Sequence, residues 1–195
     1  MKTLSLFAFL LTALVLKSDR PAAELTCTLT SDKAVYTVGE LPRFTVRIIN
    51  QGTEDIYLPG SLDGSDVKWR FPHCYFSISK PVPDTPRMLR CGNMNTLRPA
   101  DFRLVPAGQP FDPYLNSKDH GFFSDYFATN PGTFKHPGTY RIRFHYSTNS
   151  QELSGFMGDN WPRDGGADSL QLQALFKLTP KVELESNEIV IRIDK

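Results

Sequence analysis

Apolar and polar residues alternate along much of this chain, which is the pattern of strands buried on one face. Near the N-terminus Leu25, Cys27 and Leu29 alternate with threonines, and this predicts a first strand with a polar outer face. The same alternation predicts further strands at 35–38, 43–48, 56–58, 74–78, 102–105, 140–146 and 189–193.

The alternation around Pro72 is interrupted. Trp69 and Phe71 alternate with Lys68 and Arg70, which predicts a strand with the two aromatic rings on one face. The apolar phase then shifts by one position after Pro72. Because proline cannot donate to a strand ladder, such a shift predicts a bulge or an edge strand.

The segments between these strands are rich in turn-forming residues. Predicted loops cover 61–66, 80–99, 110–133 and 147–169. Residues 170–178 fit a short helix or a strand, and no helix of 12 or more residues is predicted after the N-terminal segment. Short strands with long loops predict an all-β fold, a two-sheet antiparallel sandwich with long loop insertions.

The N-terminus has the pattern of an export signal. Lys2 precedes an apolar run from Leu4 to Leu16, which is shorter than the ~20 residues that a membrane-spanning helix needs. Residues 1–23 are therefore predicted to be a signal peptide. Residues 24–195 are predicted to form a single exported domain, either secreted or periplasmic, with no stable membrane span.

The charge balance excludes some classes of partner. The chain has 22 Lys and Arg against 21 Asp and Glu, a net charge of +1, and it has no basic tract. Nucleic acid and anionic membrane surfaces attract proteins through concentrated positive charge. We therefore expect neither as a partner.

Two segments carry a family resemblance. The sequence SDKAVYTVGE at 31–40, followed by an alternating strand that ends at Ile49-Asn50, resembles the opening of exported bacterial Ig-like domains. It is also similar, more weakly, to the BsuPI-type family of proteinase inhibitors. The second segment, PGTYRI at 137–142, resembles the corner that enters the penultimate strand of an Ig-like sandwich.

The resemblance implies an Ig-like β-sandwich in which the Tyr140 hydroxyl binds backbone groups at that corner. The chain departs from a true immunoglobulin, because Ile142 stands where the second core cysteine would be. The resemblance therefore bears on fold and says little about function. No reactive-site residue carries over from the inhibitor family.

Three cysteines, Cys27, Cys74 and Cys91, fall within the predicted domain. An oxidising compartment favours one bridge and one odd thiol. The predicted pair is Cys74 with Cys91, because they bracket a Pro-rich segment whose closure lowers the entropy of the unfolded chain. The alternative is that all three are reduced and buried as small core residues.

No catalytic pattern emerges from the nucleophiles and histidines. His73, His120, His136 and His145 do not have zinc-site spacing, and none lies near a Gly-x-Ser-x-Gly sequence. His73 and Cys74 are adjacent, but neighbouring side chains of a strand point to opposite faces. We therefore predict that the protein is not an enzyme.

No cofactor and no metal site is predicted. Met88, Cys91 and Met94 place soft sulfur ligands every three residues, and such ligands select Cu(I). Loop methionines more often serve packing. Weak copper binding therefore stays an alternative function.

Aromatic residues in the loops are the predicted binding anchors. Phe122, Phe123 and Tyr126 belong to an aromatic-rich loop, and Trp161 lies in a polar, glycine-rich one. The rings of the aromatic-rich loop have two interpretations: they pack as core under the long loop, or they form an exposed platform of the kind that binds proteins or carbohydrates. We therefore predict a binding or structural module with a protein or carbohydrate partner. The alternative is a protease inhibitor that presents the Pro-rich loop at 80–99.

Overall fold

The computed structural model describes residues 24–82, 96–114, 133–157 and 167–195, and these residues form a mostly β structure with antiparallel sheets. Every strand predicted by alternation is present except the one at 68–71. The described strands are β1 (Leu25–Ser31), β2 (Val35–Thr37), β3 (Phe44–Asn50), β4 (Ile56–Pro59), β5 (His73–Ser79), β6 (Phe102–Val105), β7 (Pro110–Phe111), β8 (Gly138–Ser147), β9 (Glu183–Glu185) and β10 (Ile189–Asp194).

The first sheet has three strands in the order β1-β3-β7, and both of its pairings are antiparallel. Leu29, Val46 and Ile48 point inward and are buried, whereas the threonines and arginines between them face solvent. This separation follows from the two-residue period of a strand, which places alternate side chains on opposite faces.

The second sheet has five strands, with the order β2-β10-β8-β5 and with β9 also paired to β8. β2 runs parallel to β10, and the other neighbours are antiparallel. β5 lies at the edge of this order, as the phase shift at Pro72 predicted. An edge strand tolerates a preceding proline because half of its backbone groups have no strand partner.

A bulge separates β9 from β10. Glu185 is opposite His145 and Ile189 is opposite Ile142, so Ser186–Glu188 spans only two residues of β8. The bulge directs Asn187 toward the first sheet, where its side chain accepts a hydrogen bond from Leu29 N at 2.9 Å and donates one to Leu29 O at 3.0 Å. These bonds satisfy backbone groups at the edge of β1 and link the two sheets.

The inward faces of the two sheets pack against each other in one core. Phe111 of the first sheet meets the ring of Tyr146 edge-on, with 6.3 Å between centroids. Phe44 and Phe76 make a similar contact between β3 and β5 at 6.0 Å. The most deeply buried members of this core include Leu29, Tyr36, Ile48, Cys74, Tyr140, Ile142, Phe144 and Ile191.

The corner before β8 contains the hydrogen bond predicted for Tyr140. Its hydroxyl donates to His136 O at 2.8 Å, and its ring is almost completely buried. Gly138 in the same corner has φ +139°, a conformation that favours glycine. The hydroxyl thus satisfies a backbone carbonyl where the chain enters the sheet.

A second hydrophobic core lies beside the sandwich. β4 and β6 form a two-stranded antiparallel sheet, and the helix α1 (Ala167–Leu178) packs against β4. Two short 3-10 helices, η1 (Pro99–Asp101) and η2 (Leu153–Phe156), complete this part of the fold. Its buried apolar residues are Leu62, Leu97, Phe102, Phe156, Met157 and Leu172.

The prediction that no helix reaches 12 residues is wrong, because α1 has 12. Leu172 is buried and Leu175 and Phe176 are half-buried, at spacings of three and four that place them on one helical face. Leu170 is 71% exposed and lies off this face. Leu170 and Leu172 alternate as in a strand, so the sequence pattern alone could not decide between a helix and a strand.

The strand predicted at 68–71 is also wrong, because residues 63–72 form turns and bends. The predicted orientation is reversed as well: Trp69 is 44% exposed, whereas Arg70 is 2% exposed. Burial lowers the pKa of Arg70 to about 10, although the nearby Asp101 and Asp63 carboxylates oppose the shift. A buried guanidinium requires such compensation, which sequence alternation does not reveal.

Candidate functional site

A cleft of about 530 Å³ separates two segments of the described chain. One side, which we call the acidic wall, consists of Glu24 and residues 50–56 between β3 and β4. The other side, which we call the basic wall, consists of residues 177–182 at the end of α1 and beyond it. The volume lies within the range of small-ligand sites in proteins.

The acidic wall is held in shape by Asn50, which is buried. Its side-chain nitrogen donates to Glu54 O at 2.8 Å and to Val105 O at 3.0 Å, and its side-chain oxygen accepts from Gly52 N at 3.1 Å. Asparagine at the end of a strand commonly closes a turn in this way. The three bonds fix the turn between β3 and β4 against β6.

The basic wall is held by hydrogen bonds at both of its ends. Thr179 donates through its hydroxyl to Leu175 O at 2.9 Å, which satisfies a carbonyl in the last turn of α1. Thr148, which follows β8, donates through its hydroxyl to Pro180 O at 2.6 Å and through its backbone to Val182 O at 2.9 Å. The wall is therefore built on both the helix and the sandwich.

Lys181 is the best-defined cation of the cleft. Its ammonium lies 3.2 Å from the centroid of the Phe176 ring and donates to Phe176 O at 3.4 Å. Burial lowers the pKa of Lys181 to about 8. The ring and the carbonyl orient the ammonium, but neither supplies a full negative charge.

Five charged residues line the cleft. Glu24, Glu54 and Asp55 belong to the acidic wall, and Lys177 and Lys181 to the basic wall. None of these five side chains forms an ion pair within the described chain. The same two segments also contribute the apolar side chains of Ile56, Leu178, Pro180 and Val182 to the lining, and we call these four the apolar floor.

A second group of chemically active side chains lies on the outer face of β5, β8 and β9. Ser77 Oγ is 2.8 Å from His145 Nε2, and His145 Nδ1 is 3.6 Å from Glu185 Oε2. Burial, with the nearby Lys68 and Arg143 charges, lowers the pKa of His145, while Glu185 opposes the shift. The order of these groups is that of a nucleophile, a base and a carboxylate.

Two features of this outer face argue against catalysis. Ser77 projects from a strand, where backbone N–H groups lie in the plane of the sheet and the side chain stands perpendicular to it. Acyl transfer instead needs N–H donors that converge beside the nucleophile. In addition, Glu185 pairs with Arg143, and the His145 ring stacks on Tyr75 at 4.6 Å. The arrangement is that of a cross-strand surface network.

The aromatic anchors predicted from the sequence lie outside the described residues. These are Trp161, Phe122, Phe123 and Tyr126. Most of the Pro-rich segment at 80–99 and the sulfur ligands Met88, Cys91 and Met94 also lie outside them. Each of these assignments therefore stays a prediction.

Of the predicted disulfide pair, the structure describes only Cys74. It is a fully buried thiol, and burial raises its pKa above the ordinary cysteine value. Cys27 is a second thiol of the described chain, and burial raises its pKa to about 12. The bridge to Cys91 is not shown.

Metal ligands do not cluster in the part of the chain that the structure describes, where no three His, Cys, Asp or Glu side chains are placed to hold an ion. Sequence reasoning missed the cleft, because Lys177 and Lys181 belong to no motif. The one available indication was the turn chemistry at Asn50-Gln51-Gly52, which forms part of the acidic wall.

Comparison with family models, with curated proteins and with solved structures finds no match to this chain. Within the described ranges, no helix is both long enough and apolar enough to cross a membrane.

Proposed function

We propose that this chain is an exported, non-catalytic binding module that holds its ligand in the cleft between the acidic and basic walls. The observation that carries the proposal is a cleft whose lining combines an apolar floor with charged residues that form no ion pair with any other described residue. Binding sites in proteins typically combine an apolar lining with a few polar groups that orient the ligand. The N-terminal pattern of 1–23 supports export.

The order of the strands supports an Ig-like sandwich as the scaffold. β1, β3 and β7 occupy the relative places of strands A, B and E in an immunoglobulin sheet, and β5, β8 and β10 those of C, F and G. In this interpretation β4, β6 and α1 are insertions. The proposed site then lies where an insertion meets the scaffold, and such junctions commonly hold ligands.

A fluorescent anion, 1-anilinonaphthalene-8-sulfonate, tests the proposal. Its sulfonate suits Lys177 and Lys181, and its rings suit the apolar floor. We expect saturable binding at one site by calorimetry and by fluorescence. Leu178→Trp places a larger side chain in the cleft and should lower the affinity at least about tenfold, which is 1.4 kcal/mol of binding free energy.

Leu170→Trp is the matched control, because Leu170 is an exposed leucine of the same helix that does not line the cleft. We expect it to bind the dye like the unmodified protein. Near-ultraviolet circular dichroism must show native packing in each variant, since loosely packed states bind this dye nonspecifically. Equal binding by both variants, or no binding by the unmodified protein, would contradict the proposal.

A further inference from the structure

The two walls of the cleft carry opposite charge. Glu24 and Glu54 are exposed carboxylates of the acidic wall, and Lys177 and Lys181 are the ammonium groups of the basic wall. Elsewhere in the described chain an ion pair joins Arg141 to Glu188. Such pairs are absent between these four residues in the described chain.

A ligand that satisfies both walls must carry both signs of charge. An anion alone leaves Glu24 and Glu54 without a partner, and a cation alone leaves Lys177 and Lys181 without one. The floor between the walls, which includes Ile56 and further apolar side chains, requires an apolar body between the two charges. A short unblocked peptide with apolar side chains has this distribution of groups.

One cation of the basic wall, Lys181, has a defined position. Lys181 is partly buried, and its ammonium is positioned by the ring and the carbonyl of Phe176. A positioned cation loses less conformational freedom when an anion binds. The acidic wall is likewise fixed, because Asn50 holds the turn that carries Glu54.

We propose that the cleft binds short peptides with free ends and apolar side chains, with the amino group at Glu24 and Glu54 and the carboxylate at Lys177 and Lys181. This inference rests on the proposed function, since it assigns a ligand class to the same cleft.

The test uses the tripeptide Leu-Trp-Leu in four forms: unblocked, N-acetylated, C-amidated and blocked at both ends. Each is titrated calorimetrically into the unmodified protein, so that the comparison does not depend on a variant that folds. We expect the unblocked form to bind most tightly. Removal of either terminal charge should weaken binding about two- to fivefold, which is the range for partly exposed ion pairs.

Two double variants test which wall binds each terminal charge of the peptide. In the double variant Glu24→Gln with Glu54→Gln, acetylation should no longer weaken binding, whereas amidation still should. In the double variant Lys177→Gln with Lys181→Gln, amidation should no longer weaken binding, whereas acetylation still should. These exposed or half-exposed substitutions remove charge with little change in size, and thermal unfolding checks that the fold is retained.

The outcomes separate the two proposals. Equal affinity for all four peptides, or no peptide binding by a protein that still binds the dye in the cleft, overturns the ligand class and leaves the binding function standing. If neither dye nor peptide binds in the cleft, both proposals fail. A preference for the unblocked peptide that neither double variant alters would also overturn the assignment to these walls.

Discussion

The outer face of β5, β8 and β9 and the cleft both carry several charged groups, but they use them differently. On the outer face, Arg143 pairs with Glu185 and Glu188, and Arg141 pairs with Glu188. In the cleft, the two walls present opposite charges that do not meet within the described chain. The first surface is neutralised by its own residues, whereas the second has groups available for a ligand.

This difference shows that a suggestive set of residues does not by itself mark a site. The outer face includes Ser77, His145 and Glu185 in the order of a catalytic triad, yet the pairing of strands accounts for each contact. The cleft contains no recognisable motif. Its interest comes from its volume, its apolar floor and lining charges that form no ion pairs within the described chain, which are properties of the tertiary structure.

The largest effect is expected from Asn50→Ala, which removes the side chain that shapes the acidic wall. Three hydrogen bonds are lost, and the buried Val105 carbonyl loses a donor. We expect a loss of about 2–3 kcal/mol in the free energy of unfolding, measured by urea denaturation. Ser77→Ala is the control on the outer face, where the hydroxyl is exposed. A similar loss of unfolding free energy in both variants would contradict the expected difference between the cleft and the outer face.

The next effect concerns the pH dependence of dye binding. A bound anion favours the protonated form of Lys181, and the pKa of Lys181 is about 8. The affinity for the dye should therefore be constant below pH 8 and should fall as the pH rises above 8. Titrations with 1-anilinonaphthalene-8-sulfonate at a series of pH values measure this affinity. Lys181→Gln should remove the fall, and Arg143→Gln on the outer face should not. A pH profile unchanged by Lys181→Gln would exclude this lysine from the site.

Stability should show the same titration in the absence of ligand. The folded pKa of Lys181 lies below the ordinary value of 10.5, so the unfolded chain binds more protons between pH 8 and 10.5. The unfolding free energy of the unmodified protein should therefore rise relative to that of Lys181→Gln across this range. Denaturation series at pH 7.5 and 10 compare the two. A constant difference would show that Lys181 is no more buried than an ordinary surface lysine.

A smaller effect is expected for the ion pair between Arg143 and Glu185, because both side chains are largely exposed. A double-mutant cycle with Arg143→Ala and Glu185→Ala should give only a weak coupling between the two side chains, and salt should reduce it further. A strong coupling that salt does not reduce would mean that the outer face is a specialised site and not an ordinary charged surface.

The smallest effect is expected for hydrolysis. Ser77 has a neighbouring base but lies on a strand without converging N–H donors, so we expect Ser77→Ala to leave p-nitrophenyl acetate turnover unchanged. The release of p-nitrophenol measures this. If turnover disappears in both Ser77→Ala and His145→Gln, the network on the outer face is catalytic, and the two regions do not differ in the way described.

One part of the cleft could be predicted from the sequence, and the other part could not. The turn at Asn50-Gln51-Gly52 is recognisable, because asparagine and glycine suit the backbone of a turn. The basic wall was not recognisable, since the apolar positions of 170–178 fit both a helix and a strand. Only the packing of Leu172 and Phe176 into the second core selects the helix, and the helix then determines where Lys177 and Lys181 lie.

Alternation by itself determined eight of the ten described strands, all except β7 and β9, because successive side chains of a strand point to opposite sides whatever its neighbours are. It failed at 68–71, where the described chain has turns and bends. The corner at Tyr140 was predicted from the resemblance of residues 137–142 to an Ig-like corner, and there the hydroxyl bonds a backbone carbonyl four residues away. Tertiary structure alone decided that Arg70 is buried while Trp69 is exposed, and that Lys181 and Glu54 line the same cleft. These outcomes depend on contacts between distant parts of the chain, which no local pattern encodes.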